Sequence, residues 1–264
     1  GIDPENPNAF RQIKALCDGL VMRHDPRGGH WDDGALEVLA GFVAHVLSAP
    51  EYEGRRSLIT VRKLLTAHGD RYIEIVEAMA ENHAIGGMPA TAASRLMQSG
   101  TEADHFISGA RGNTDWLDDP HMQECLSEST FRMADLKTRK LDIFLVLPMD
   151  TLGDYGRFLR LFTRMALYQM QQKLPSGELK GREAYFILDE AFSVGNIKEI
   201  QNAMGGMPGF NLHLWPFFQD YNQLLDLYGQ AGAGTFFANA DASYFFGVND
   251  ADTANLVSRG AGLV

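Results

Sequence analysis

Two textures of apolar and polar positions divide the chain. Over residues 8–126 the apolar positions recur at helical spacing, whereas from about residue 131 short apolar runs alternate with amphipathic stretches. Phe10, Ile13, Leu16, Cys17, Leu20 and Val21 share one helical face, with Arg11, Lys14 and Asp18 opposite. That helix is expected to stop near Asp25-Pro26, since proline disfavours helical geometry in the residue before it. Asp32 and Asp33 stand where an N-cap belongs, ahead of a helix carrying Leu36, Leu39, Phe42, Val43 and Val46 that ends before Pro50. A third helix is expected over 58–67. A fourth, capped by Asp70, runs through Tyr72, Ile75 and Met79 and closes at Gly86-Gly87. Pro89 suits the first turn of a fifth over 90–98; a sixth covers 102–110 and a short one follows Pro120. Short helices separated by Gly or Pro make a compact helical domain.

The second texture reads as α/β. The runs at 141–148 (LDIFLVLP), 184–190 (AYFILDE), 211–220 (NLHLWPFFQD) and 243–250 (SYFFGVND) are too short for buried helices and rich in strand formers. Each is followed by a helical pattern: around Phe158 to Tyr168, around Ile197 to Met204, over YNQLLDLYG closed by Gly229, and over 251–258. Strands joined through helices imply a parallel sheet covered on both faces, with ligands bound beyond the carboxyl ends of the strands. Asp189, Glu190, Gln219, Asp220, Asn249 and Asp250 fall at those ends. Pro216 lies inside a strand that should be central, where it removes a ladder hydrogen bond, so a bulge or an edge is expected there.

Composition and charge narrow the function classes. The 264 residues, 45% hydrophobic and 22% charged, describe an ordinary globular protein. With 23 basic and 34 acidic side chains the formal charge is −11, which argues against a surface coated for DNA binding. Cys17 and Cys125 cannot build a disulfide framework or a four-thiolate zinc site. No apolar run reaches the ~18–20 residues of a membrane span, and the N-terminus has no signal-peptide character. His30, His45, His68, His83, His105 and His121 read as helix-surface or turn positions. The basic clusters Arg55-Arg56, Arg62-Lys63 and Lys137, Arg139, Lys140 read most simply as solvated faces or, in an oligomer, as part of the lining of a nucleic-acid path.

Asp189-Glu190 is the first candidate for chemistry. A buried strand delivers two carboxylates at one edge, the arrangement nucleotide hydrolysis uses: the aspartate holds Mg²⁺ through water and the glutamate orients or deprotonates the attacking water. Equally, a strand can end in acids that only cap the next turn. Gln219, ending the next strand, can sense a γ-phosphate or the lytic water, or it can simply precede Asp220 as that residue caps a helix. No G-x-x-x-x-G-K-[ST] occurs, so nothing obvious wraps the phosphates and tight nucleotide binding by this chain alone is not expected. Gly229, Gly232 and Gly234 follow a helix and read as turn glycines.

The ordered blocks HWDDGALEVLAGFVAHVL, FISGARGNTDWLDDPHMQECLSESTFRMADLKTRKLDIFLVLP, AYFILDEAFSVGNIKEIQNAMGGMPGFNLHLWPFFQDYNQLLDLYG and FFANADASYFFGVNDADTANLVS resemble the TraG-like coupling proteins of conjugative and type IV secretion systems. The resemblance implies an incomplete RecA-like parallel sheet with helices on both faces, plus an all-α domain. It implies three parts: 1–28 as a helical lead-in, 29–130 as the all-α substrate-recognition domain, and 131–264 as the carboxyl part of the nucleotide-binding domain. By the same resemblance Asp189 and Glu190 match the Walker B pair, Asp189 serving Mg²⁺ and Glu190 catalysis. Gln219 matches the strand-end glutamine that serves both catalysis and nucleotide contact. Asn249, Asp250, Thr253, Ala254 and Ser258 match a late motif of unassigned role. Some relatives carry an arginine near GMPGFN where this chain has Met207, Pro208 and Gly209.

The family implies ATP and Mg²⁺ as cofactors and a homo-hexamer at the cytoplasmic face of the bacterial inner membrane. It also implies a relaxase or effector as cargo, contact with channel components, and single-stranded DNA in the assembled motor. The chain would then be a piece lacking the membrane anchor and the phosphate loop. Two other readings stand beside this one: a nucleotide-independent helical binding module, and another RecA-like secretion ATPase.

Overall fold

The computed structural model describes residues 2–21, 29–98, 100–174, 176–178, 180–206 and 208–262. The chain forms two compact units, Gly1–Arg132 and Met133–Val264. The first is all helical: α1 (Ala9–Leu20), α2 (His30–Ser48), α3 (Leu58–Leu65), α4 (Gly69–Ala80), α5 (Ala84–Met97), α6 (Thr101–Gly112) and α7 (Pro120–Cys125). Every residue of α2 from 38 to 46 is buried, because α1, α3, α5 and α6 surround it. Two glycines let it approach so closely. A Cβ on Gly41 would lie 2.2 Å from Ala92 of α5, and one on Gly34 would lie 2.2 Å from the Phe106 ring of α6. Ser57 caps α3 by accepting from Thr60 N–H at 3.2 Å, and Asp119 caps α7 by accepting from His121 N–H at 2.6 Å.

The helix spacing anticipated these elements, with local differences. Asp32 and Asp33 lie in the first turn of α2 and Gly29 is its N-cap. His68 rather than Asp70 stands at the N-cap position of α4, without a side-chain capping bond, and α4 ends at Ala80 rather than at Gly86-Gly87. The left-handed Ile85-Gly86-Gly87 interrupts α5, so its regular part starts beside Pro89. The expected stop at Asp25-Pro26 lies outside the described residues. His45 is no surface histidine: it is 1% exposed, its Nδ1 is 3.1 Å from Asn82 Nδ2, and burial lowers its pKa against the opposing pull of Glu51. Arg62 likewise leaves its expected solvated face. It donates to Asp118 at 2.9 and 2.5 Å, to Thr114 Oγ1 at 3.1 Å and to the Arg111 carbonyl at 2.6 Å. Its hydrogen bonds hold the Asp118 carboxyl below the usual carboxylate range.

The second unit carries α8 (Asp135–Thr138), α9 (Leu152–Met170), β1 (Ala184–Leu188), α10 (Lys198–Gly206), β2 (Leu212–Pro216), α11 (Tyr221–Asn239) and α12 (Ala251–Ala261). β1 and β2 pair in parallel from Ala184↔Leu212 to Leu188↔Pro216, with α10 in the crossover. Asn211 starts β2 in the left-handed region (φ 54°). Its side-chain amide donates to the Gly181 carbonyl at 2.8 Å, while its own carbonyl accepts from Ala184 N–H at 2.9 Å. Ala184 and Leu212 pack into a core with Leu167, Met170, Ile197, Ile200, Leu224 and Phe236 from α9, the α10 region and α11. Lys137, of the expected solvated cluster, is 2% exposed, and burial lowers its pKa. Its Nζ donates to the Met170 and Gln172 carbonyls at 3.0 and 2.5 Å, satisfying the end of α9.

Three expectations for this unit need correction. Among the described residues the sheet has two strands: 141–148 and 243–250 form no ladder, and Phe144, Val146, Tyr244 and Phe246 are 84%, 85%, 79% and 80% exposed. Strand propensity is expressed only where a partner supplies cross-strand contacts, and neither run has one here. Second, β1 and β2 are covered on one face. Tyr185, Ile187, His213 and Trp215 line the other, with Tyr185 and His213 stacked 4.7 Å apart. Third, Gly232 and Gly234 are helical; only Gly229, at φ 65°, turns the chain within α11. Pro216 resolves as an edge residue without a bulge. Phe217 directs both its N–H and its carbonyl to β1, so Pro216 faces the outer side, where a missing N–H costs no ladder bond.

Candidate functional site

The carboxyl edge of the two-stranded sheet gathers the polar residues. Pairing persists just past both strands: Phe217 N–H donates to the Leu188 carbonyl at 2.9 Å and Ala191 N–H to the Phe217 carbonyl at 3.0 Å. Asp189 and Glu190 occupy the turn between those two bonds. Asp189 is exposed and Glu190 half-buried. Two residues beyond Phe217, Gln219 reaches back across the edge, and its Nε2 donates to Glu190 Oε2 at 3.2 Å. Asp220 accepts from Gln223 N–H at 2.9 Å and caps α11, so the capping role and the reach towards Glu190 fall to adjacent residues.

Asp250 caps α12, accepting from Thr253 N–H at 2.7 Å, and hydrogen bonds from Thr253 hold its carboxyl below the usual range. Thr253 Oγ1 in turn accepts from Tyr221 N–H at 3.1 Å, tying α12 to the start of α11. Asn249 is exposed beside this cap. Spacing along the sequence assigns Thr253 no partner; it entered the sequence reading only as one residue of the late motif that the family resemblance implies. Met207, in the GMPGFN stretch, lies outside the described residues.

Among the described residues no group of three or more His, Cys, Asp and Glu side chains converges to hold a metal. One exposed carboxylate beside a second fits Mg²⁺ as it is commonly held, by one or two carboxylates with water and phosphate oxygens completing the shell. The edge can therefore offer an anionic contact to a hydrated cation, a carboxylate to accept a proton, and an amide that fixes this carboxylate.

With this geometry in view, the comparisons with known proteins decide the family. Residues 2–264 match the family model described as type IV secretory system conjugative DNA transfer. The chain belongs to that family. Among relatives, the chain is 26% identical to the type IV secretion system-coupling protein VirD4 of Bartonella quintana (strain Toulouse), over 99% of this chain and 41% of that protein. It is 25% identical to a probable conjugal transfer protein TraG of Sinorhizobium fredii, over 87% of this chain and 36% of that protein. The chain thus spans less than half the length of these relatives. Its fold matches that of the plasmid coupling protein TrwB, solved in complex with ADP and Mg²⁺, at a TM-score of 0.65 and 15% identity, covering 87% of this chain and 51% of that one. The likeness establishes the RecA-like α/β class with an all-α part. Among the described residues no helix is long and apolar enough to cross a membrane.

Proposed function

We propose that this chain supplies the metal- and water-handling edge of a coupling ATPase that drives transfer through a type IV secretion or conjugation channel. The observation that carries the reading is the 3.2 Å bond from Gln219 to Glu190 at the edge that also presents Asp189. It is supported by the TrwB structures solved in complex with ADP and Mg²⁺ and with a non-hydrolysable ATP analogue. Bound Mg²⁺ would supply charge neutralisation on the phosphate oxygens. Asp189 holds that ion's hydration shell. Glu190 accepts the proton of the attacking water, and the Gln219 amide fixes the Glu190 carboxylate by occupying one of its oxygens. In this reading the phosphate cradle is not part of what the chain supplies, since the 264 residues contain no G-x-x-x-x-G-K-[ST].

In this reading residues 29–130 recruit the cargo, a relaxase–DNA complex or an effector protein. Residues 131–264 belong to the motor, and 1–28 lead into the helical part. The active form is a homo-hexamer at the cytoplasmic face of the inner membrane, in contact with the channel and, for DNA cargo, with single-stranded DNA. Glu190→Gln in the natively expressed protein is expected to lower ATP turnover by roughly 10²-fold or more while ATP binding persists; turnover like that of the unmodified protein would end the assignment. Isothermal titration of the 264-residue chain with Mg-ATP is expected to show no tight binding, while pull-down of the cognate relaxase succeeds. Tight, phosphate-dependent binding would overturn the division of the site.

A further inference from the structure

The turn that carries Gln219 is held at three points. Gln219 N–H donates to Gln223 Oε1 at 2.9 Å, and Gln223 N–H donates to Asp220 Oδ1 at 2.9 Å. Both bonds are local to the first turn of α11, as any capped helix would have. The third is not: Tyr221 N–H, one of the donors that a helix start leaves without an intrahelical acceptor, is taken by Thr253 Oγ1 from 32 residues away. Thr253 is the buried residue of α12, at 8% exposure. It is itself fixed twice, by Asp250 on its N–H and by the β-branch that stiffens a threonine side chain in a helix.

We infer that Thr253 is a positioning residue for Gln219: its hydroxyl anchors the Asp220–Tyr221 peptide to the capped start of α12 and so sets where the Gln219 amide meets Glu190. This gives the Asn249-Asp250-x-x-Thr253 motif a mechanical role, and it rests on the ATPase reading above. Gln219 is exposed and has many rotamers, so its reach depends on where the backbone of this turn sits. A misplacement of about 1 Å at a catalytic constellation can cost about 10²-fold in rate, so one anchoring bond is enough to matter.

Thr253→Val keeps the shape and removes the hydroxyl. In the natively expressed protein it is expected to lower kcat for ATP roughly tenfold, the worth of about one hydrogen bond, and to leave KM within about twofold. Thr253→Ser, which keeps the hydroxyl, is expected to restore most of the rate. In a Gln219→Ala background Thr253→Val should cost nothing further, because the group it positions is gone. Amide hydrogen exchange over 219–223 gives a readout independent of turnover: faster in Thr253→Val, unchanged in Thr253→Ser. Unchanged exchange and turnover in Thr253→Val, or a loss that multiplies with that of Gln219→Ala, would overturn the inference. Should Glu190→Gln and Gln219→Ala both turn over normally, the assignment of the ATPase edge to these residues fails instead, and exchange still reports whether the anchor exists. If Thr253→Val does not fold, Thr253→Ser with unchanged exchange but tenfold lower kcat would equally overturn it.

Discussion

The helical unit closes on itself and the α/β unit does not. Among the described residues the large apolar side chains left exposed in the first are Phe10, Trp31, Ile73 and Met97. In the second they run from Phe144, Leu145 and Val146 through Tyr185, Ile187, Phe192, Trp215 and Phe217 to the 244–248 segment. The reason lies in how each kind of element is satisfied. A helix completes its own backbone bonds and needs only one apolar stripe covered, which α2 offers to four neighbours at once. A strand completes nothing alone: it needs a partner on each side and a layer on each face. The difference teaches that the two textures of the sequence carry unequal commitments. The first prescribes a finished object, the second a surface that remains apolar wherever a partner is missing.

The largest expected effect falls at the centre of the closed unit. Phe42→Ala opens a cavity in a helix enclosed on all sides and should cost about 3–5 kcal/mol, read as a lower denaturation midpoint. A loss below about 1 kcal/mol would mean that α2 is not the core the packing shows. A smaller effect follows from His45. Its pKa is lowered in the folded state by burial, so its contribution is present above about pH 6.5 and is lost as the pH falls through the folded value. Thermal melts should therefore show the helical unit weakening from about pH 6.5 downward, and His45→Gln should flatten that stretch of the profile. The smallest effect belongs to the open face. Ile187→Thr, at a position 62% exposed, should change stability by no more than about 0.5 kcal/mol. A loss like that of Phe42→Ala would show that something covers the face in solution.

Much of this was legible in the sequence, for reasons specific to each element. The helices of the first unit were readable because their apolar periodicity acts within a few residues, but their exact ends were not. The caps read at Asp32, Asp33 and Asp70 fall inside or beside the first turns, the side-chain caps form instead at Ser57 and Asp119, and α4 ends at Ala80 rather than at Gly86-Gly87. β1 and β2 were readable because each run ends at a turn signal and each finds the other. The runs at 141–148 and 243–250 carry the same propensity, yet a ladder is a relation between segments, and composition within one segment does not supply the other. The interior roles of His45, Arg62 and Lys137 were hidden for the same reason. Their partners Asn82, Asp118 and Met170 lie 37, 56 and 33 positions away. At the candidate site, Glu190 and Gln219 could be brought to one edge by assuming adjacent parallel strands. The bond from Thr253 to Tyr221 could not, since it depends on where α12 docks.

Pro216 has a consequence for the growth of this sheet. Alternate residues of β2 turn their backbone groups outward, so a further strand laid along it would meet amide and carbonyl at Leu212 and Leu214 but only a carbonyl at Pro216. Hydrogen-bonded zippering from that side must therefore halt before the bend leading to Gln219. The imino acid works as a doorstop, keeping any added ribbon out of the corner where glutamine and glutamate meet.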